Sequence, residues 1–313
     1  MLLVVPLVIY WLLFRKTGLD RTLEQIRQAE RWPLAVAVAA SLVAAVLMNS
    51  FVWQRILAAM GCRLTFVRAV FAENASLPLR MLLPAKSGEI FKAMYVKSVG
   101  LTGLSQGLGS VMFHKVINVI ALMLLSLPTV MTSAGSTPRK LLIVLALALW
   151  LYFRPGMFQS LAERTSRPLP ERFRNALRRV VGALGDTPIG KKLGLLAMAV
   201  LFQSAHLISV AMIFRSLGHQ VPLSALCAYV PVAVLVGIVP IALYGLGTRE
   251  AAFIFFFSGH VGEPTAMAAA LLFTGIQFLL PVLVGSTLTW PFLSRVLGGR
   301  TTADAAETIG EAT

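Results

Sequence analysis

Residues 33–53 read PLAVAVAASLVAAVLMNSFVW, a run without a single charged side chain. Coiled as an α-helix it would be about 31 Å long at ~1.5 Å per residue, which matches the ~30 Å hydrocarbon layer of a bilayer. Three other runs, 104–131, 193–214 and 265–291, are also long enough to cross, the last of them carrying Pro281 near its middle. Residues 2–14 and 141–153 are shorter candidates. The apolar residues do not alternate strictly with polar ones, so a membrane barrel is not indicated. The expected fold is therefore all-α: a polytopic helical membrane bundle of about six transmembrane helices. Two further apolar segments, 64–98 and 222–258, are interrupted by Pro, Gly and charges and read as re-entrant or broken helices.

The composition agrees with a membrane bundle. Hydrophobic residues make up 57% of the chain and charged residues 13%, and the mean hydropathy is +0.79, whereas a soluble domain carries roughly 25% charge. The excess of 28 Lys and Arg over 13 Asp and Glu gives +15, but the basic residues lie mostly between apolar runs. That placement follows the positive-inside rule and favours contact with anionic lipid headgroups, not nucleic acid. Cys62 and Cys227 stand alone, with no CxxC or Cys/His cluster, so neither a disulfide frame nor a zinc site is expected. The apolar N-terminus lacks a basic leader and a small-residue cleavage site, so residues 2–14 read as a retained first span.

Residues 1–313 are expected to form one integral membrane domain. Its parts are a first half, 1–153, a cytoplasmic basic loop, 154–192, a second half, 193–291, and a polar tail, 292–313. The loop carries Arg154, Arg164, Arg167, Arg172, Arg174, Arg178, Arg179, Lys191 and Lys192 against Glu163, Glu171 and Asp186, which places it in the cytoplasm. Within it Phe173, Leu177, Val180, Val181 and Leu184 recur at helical spacing, as in an interfacial amphipathic helix; a solvated linker helix fits the same pattern. Counting outward from this loop, segment 64–98 starts and ends on the cytoplasmic side and segment 222–258 on the outer side. The same topology puts Arg15, Lys16, Arg21, Arg27 and Arg31 outside, against the charge rule.

The two broken segments hold the candidate site. The first contains Glu73, Asn74, Arg80, Leu83-Pro84-Ala85-Lys86-Ser87-Gly88-Glu89, Lys92 and Lys97. Charges at membrane depth cost about 2.5–3.5 kcal/mol each, so they normally face a partner or a cavity. A helix restarting near Ser87 or Gly88 would point free amides and its positive dipole end into the break, where an anion such as phosphate can sit. Glu89 and Lys92, three apart, would share a face. The second segment repeats the plan with Val239-Pro240, Tyr244-Gly245-Leu246-Gly247-Thr248 and Arg249-Glu250, followed by Ala251-Ala252-Phe253-Ile254-Phe255-Phe256-Phe257. Paired interrupted segments in the two halves of a chain point to a transporter site at the interface of inverted repeats.

At these residues the chain resembles the flippase-like transmembrane domain found at the N-terminal side of bacterial lysylphosphatidylglycerol synthetases. The likeness runs from about residue 33 to 291. It is carried by Asn74, Leu83-Pro84, Gly88-Glu89 and Lys92, and by Gly245, Gly247-Thr248-Arg249-Glu250-Ala251 with the aromatics that follow. That family usually has Arg where this chain has Lys92, which keeps the charge but loses the bidentate fork. It often has an acid-Arg pair followed by Asp where this chain has His114-Lys115 and Asn118. The resemblance implies a multi-pass protein of the bacterial inner membrane that moves or presents a lipid with an anionic headgroup. It implies no lysyl transfer, since only an Ala/Thr/Glu tail follows Trp290.

The expected substrate-binding residues are Asn74, Arg80, Lys86, Gly88, Glu89, Lys92, Gly245, Gly247, Arg249 and Glu250, with Lys86, Lys92 and Arg249 receiving a phosphate and Glu89 and Glu250 balancing them. His114, Lys115 and Asn118 could relay a proton, or Lys115 could pair with Glu89 or Glu250 to hold the bundle. Gln203 and His206 read as interhelical hydrogen-bond partners and Ala266–Ala270, Gly275 and Gly285 as close-packing positions. The four histidines show no metal spacing, and no P-loop, Gly-x-Ser-x-Gly or Rossmann string is present, so no cofactor or metal is expected. The expected partners are membrane lipids, a cytoplasmic lipid-modifying enzyme and a second copy of the chain. Two other functions fit the same residues: a membrane-embedded transferase with Glu89 or Glu250 as base, and a non-catalytic scaffold for lipid biosynthesis.

Overall fold

A computed structural model describes residues 4–83, 88–132, 136–154, 178, 181–182, 185, 187–237 and 245–310. Among them there is no strand, and four helical stretches are long and apolar enough to cross a membrane: Arg31–Ala59, Leu104–Leu127, Ile189–Ser216 and Glu263–Gly298. The chain is an all-α polytopic membrane bundle.

Two short helices lead in, α1 (Val4–Thr17) and α2 (Leu19–Arg27). The first span consists of α3 (Arg31–Leu42), a π-helical segment (Val43–Met48) and α4 (Asn49–Ala59). The first broken segment folds into α5 (Phe66–Ala75), α6 (Leu77–Leu82) and α7 (Ile90–Ser98). Next come α8 (Leu104–Thr132) and α9 (Ser136–Phe153). The second half opens with α10 (Ile189–Ser216), and its broken segment folds into α11 (Leu223–Val236) and α12 (Thr248–Val261). The last span joins α13 (Glu263–Thr274), a second π-helical segment (Gly275–Leu279) and α14 (Leu280–Gly310).

The 14 residues of α1 reach about 21 Å, short of the ~30 Å layer. Instead α1 lies against α12 and α13. Most of the basic loop, along with Lys86 and Pro240, lies outside the described residues. The tail expected to be merely polar continues α14 as helix to Gly310.

Each broken segment is a helical hairpin whose legs are too short to cross. The 10 residues of α5 span about 15 Å, and the 14 of α11 and of α12 about 21 Å. Which end of the bundle each hairpin enters follows from its packing. At the root of the first, Leu64 and Ala69 on one leg and Tyr95 and Val96 on the other bury against Leu57, Phe292 and Val296. At the root of the second, Leu226 and Phe257 bury against Phe214, Leu217 and Ala266. Ala266 and Phe292 lie toward opposite ends of the last span, so the hairpins enter from opposite ends.

The halves are interlaced, not side by side. The first hairpin packs along α14 of the second half, and α11 packs along α8 of the first. The two first spans, α3 and α10, lie together, joined where the buried Ser209 hydroxyl donates to the Ala37 carbonyl at 2.8 Å. Ser41 likewise donates to the carbonyl of Ile276, inside the second π-helical segment, at 3.2 Å. Hydroxyls that satisfy carbonyls of a neighbouring helix hold apolar helices together where hydrophobic exclusion from water cannot.

Candidate functional site

Glu73 organises the first hairpin. It sits on the buried face of α5, 0% exposed, and its carboxylate takes three donors from three different elements. Asn49 Nδ2 of α4 donates at 2.9 Å, Arg80 Nη2 of α6 pairs at 2.9 Å, and Lys92 Nζ of α7 pairs on the other oxygen. Arg80 also donates to the Glu73 carbonyl at 3.2 Å. Lys92, 1% exposed, stands 4.3 Å from the ring centroid of Trp53, whose indole donates to Ser110 at 3.2 Å. Taking an ion out of water costs several kcal/mol, offset only when its charge and hydrogen-bonding capacity are met, as the three donors and the aromatic face meet it here.

The turn of this hairpin is drawn tight. A Cβ on Gly88 would lie 2.3 Å from the backbone carbon of Leu79, so only glycine lets the return leg start against α6. Farther out, a Cβ on Gly107 would come within 2.9 Å of Ala93, which sets how closely α8 approaches α7. Asn74 donates to the Val70 carbonyl of its own helix at 2.8 Å and reaches toward Val46, in the first π-helical segment, at 3.4 Å.

Glu89 and Lys92 do not work together. Lys92 turns inward to Glu73, while Glu89 pairs with Lys115 on α8 at 3.0 Å. Lys92, expected to receive a phosphate, is buried here and engaged by the Glu73 carboxylate. Since the Lys115 side chain is 51% exposed, the Glu89–Lys115 pair contributes little, and Lys115→Ala is expected to change stability by under ~1 kcal/mol in a thermal unfolding measurement. His114, one residue earlier on α8, is buried. Its Nε2, and Oδ1 of Asn118 one turn on, lack a hydrogen-bond partner among the described residues.

In the second hairpin the carboxylate caps a helix. Gly247, with φ 85°, starts α12, and its amide donates to Glu250 at 2.6 Å, the reciprocal half of a capping box. The other Glu250 oxygen accepts from Thr274 on α13. Arg249 lies 3.5 Å from the ring centroid of Phe278. Room for its guanidinium comes from Gly237 and Gly245, where added Cβ atoms would approach it to 2.9 and 3.0 Å. Ile9 of α1 covers Gly247, 3.0 Å from where its Cβ would be.

Between the hairpins lies a cavity of about 190 Å³. The first half lines it with Asn49 and Arg80, the second with Gln203, His206, Gln277 and Phe278. Two residues that carry the flanking clusters therefore also face this space: Arg80 directly, and Phe278 as the floor under Arg249.

Residues 1–285 match the family described as the lysylphosphatidylglycerol synthase TM region. The chain belongs to this family. No curated protein matches it. The match takes in α1 and α2 as well as the stretch from residue 33 that carries the motifs, so the helix covering Gly247 is part of the shared TM region. As a member, the chain is a multi-pass membrane protein of a lipid-related family.

Of the sequence-expected site residues in this TM region, Arg80 lines the cavity, Arg249 flanks it over Phe278, and Gly88, Gly245 and Gly247 shape the two turns. Lys92 stands behind Arg80, Asn74 is spent on backbone carbonyls, and Glu89 and Lys115 lie toward the surface. Lys86 is outside the described residues. Sequence reasoning missed Glu73 as the hub, together with Asn49, Trp53 and Gln277. A signal existed for Glu73, a carboxylate on the apolar face of a membrane helix, which has to have a partner.

Proposed function

We propose that this TM region translocates an anionic phospholipid, or a lipid-linked anionic headgroup, across the inner membrane. The observation that supports it is the meeting of two short hairpins from opposite ends of the bundle at one cavity, which Arg80 lines and Arg249 flanks across Phe278. Broken helices converging at mid-depth let a charged group be held where continuous helices would offer only hydrocarbon. Arg80 receives the phosphate, with its guanidinium fixed by Glu73. Arg249 approaches from the other hairpin. Glu73 and Glu250 keep the surrounding cations from repelling one another. Glu89, with Lys115, stands at the rim of the first hairpin, and His114 of α8 supplies a titratable imidazole, with Asn118 one turn on able to orient a hydrogen bond.

The end where Arg55, Arg63, Arg68, Lys97 and Arg154 cluster faces the cytoplasm in this reading. The acyl chains stay in the bilayer while the headgroup passes, so the cavity need only admit the headgroup.

Reconstitution tests the proposal. Proteoliposomes holding acyl-labelled phosphatidylglycerol should show label moving between leaflets with the wild type, at least tenfold slower with Arg80→Ala and with Arg249→Ala, and nearly unchanged with Lys115→Ala. Wild-type protein that moves no more label than empty vesicles would refute translocation. Arginine variants as fast as wild type would refute this site.

A further inference from the structure

Resting on that reading, we infer that α1 is a lateral gate on the second hairpin: seated, it closes the turn off from the surrounding lipid, and it opens by swinging outward about Gly18.

The seat is made at the turn. Ile9 fills the notch that Gly247 leaves, where an added Cβ would meet Ile9 side-chain carbons at 3.0–3.4 Å. One residue on, the Tyr10 hydroxyl is directed at the Glu250 carboxylate and the Gly247 amide, and the Tyr10 ring stacks on Phe14 at 6.2 Å between centroids. Tyr10, Leu13 and Phe14 rest against the core of the second half. The other face of α1, with Leu7, Val8, Trp11 and Leu12, is 49–69% exposed and looks into lipid. On this side α1 is the layer that separates the second turn from hydrocarbon.

Contacts of this kind part readily. Between apolar helices in a bilayer, lipid tails replace side chains at little cost, so close backbone packing and polar contacts decide which helices stay together. The first hairpin is held by backbone, since Cβ atoms on Gly285 and Gly107 would strike the backbone of Asn74 and Ala93. At the second turn α1 offers only the Ile9 side chain and the Tyr10 hydroxyl. Lifting it leaves no bare carboxylate, because Glu250 keeps the Gly247 amide and Thr274. The tie from Lys16 to Glu263 at 2.7 Å has side chains 65% and 37% exposed, so it holds weakly, and it lies beside the pivot.

The pivot is built into the chain. Gly18, with φ 80°, joins α1 to α2 in a conformation that favours glycine. Beyond it α2 is fixed. Thr22 is buried, the Thr265 hydroxyl donates to Gln25 at 3.4 Å, and Ile26 and Ala29 rest against the same core. The Glu30 amide then donates to the Ser216 carbonyl at 2.7 Å. A helix joined through glycine to an anchored neighbour swings about that joint, as hinges at element ends do. With α1 swung out, the Arg249–Glu250 end of the turn opens sideways to the bilayer. A headgroup whose acyl chains stay in hydrocarbon needs such a lateral opening.

The test uses the full chain with Cys62→Ala and Cys227→Ala, in nanodiscs of phosphatidylglycerol and phosphatidylethanolamine, with pairs of spin labels whose separation is read by double electron–electron resonance. Labels at Leu7→Cys and Ile208→Cys, both lipid-facing, should give two distances. Tyr10→Phe and Ile9→Ala should each raise the share of the longer one at least threefold. Labels at Leu23→Cys and Ile208→Cys should give one distance that neither variant changes, since α2 stays fixed. A single distance from Leu7 to Ile208 without further substitution, or populations that neither variant shifts, would overturn the inference. Movement of Leu23 together with Leu7 would overturn the pivot at Gly18. A gate that opens while the wild type moves no acyl-labelled lipid in proteoliposomes would uphold this inference and refute translocation.

Discussion

Glu73→Gln is expected to be among the most destabilising single changes in this chain. It removes the anion shared by Lys92 and Arg80 and leaves two cations facing each other inside the bundle, and stripping one partner from a buried ion pair costs about 3–5 kcal/mol. Cys62, 3% exposed in the packed root of the first hairpin, provides the readout. In a Cys227→Ser background a thiol-reactive dye should label Cys62 at a markedly lower temperature in Glu73→Gln than in the parent. Lys92→Met should cost less, since Glu73 would keep Arg80 and Asn49. Combining the two changes should cost less than the sum of the single ones, because each removes part of the other's uncompensated charge. A melting temperature for Glu73→Gln equal to that of the parent would show that the cluster does not hold the hairpin.

Gly285→Ala should do comparable damage by a different route. Its added methyl would sit 2.2 Å from the carbonyl oxygen of Asn74, and a backbone atom cannot rotate away as a side chain can, so the first hairpin and α14 would have to separate. Overpacking a well-filled interior typically costs about 1–3 kcal/mol and more where backbone has to move. Gly275→Ala, in the same last span with nothing within 4 Å of its Cβ position, is the control and should be nearly silent. The Cys62 labelling temperature and the yield of monodisperse protein should fall for Gly285→Ala alone. Equal behaviour of the two glycine variants would mean that the close approach of α14 to Asn74 is not a constraint.

The spans were legible because membrane insertion leaves a coarse mark on sequence: Pro33 to Trp53 can hardly be anything but a crossing helix. The interruptions at Pro84–Gly88 and Gly245–Gly247 were legible for the same reason, since polar and helix-breaking residues stand out against hydrocarbon. The partnerships were not. Glu89 and Lys92 are three residues apart, and helical spacing suggests one shared face, yet they turn to different neighbours: Lys92 toward α5, Glu89 toward α8. Glu73 and Lys92 meet only because the chain reverses between them, and spacing along the sequence carries no record of that. Gln203 and His206 read as links between helices, and His206 is one through its carbonyl, to which Gln277 donates, but both also line the cavity. Whether a polar group on a buried helix bonds a neighbour or faces a void depends on how closely that neighbour approaches, here set by Gln277 and Phe278 on the last span. Gly275 and Gly285 look alike in sequence, and only Gly285 has a backbone pressed against it.

The interlacing of the halves limits how the molecule can move. If the first half swung as one piece, it would carry α5 to α7 away from α14, breaking the contact at Gly285 and the bond from Thr289 to the Ala75 carbonyl at 3.1 Å. It would equally strip α8 from α11. The two halves of the sequence are therefore not units that can travel without shearing packed surfaces. α8 is held from both sides, by α7 of the first hairpin and by α11 of the second, so, like two hands with crossed fingers, the hairpins are mechanically geared to one another through a helix that both grip.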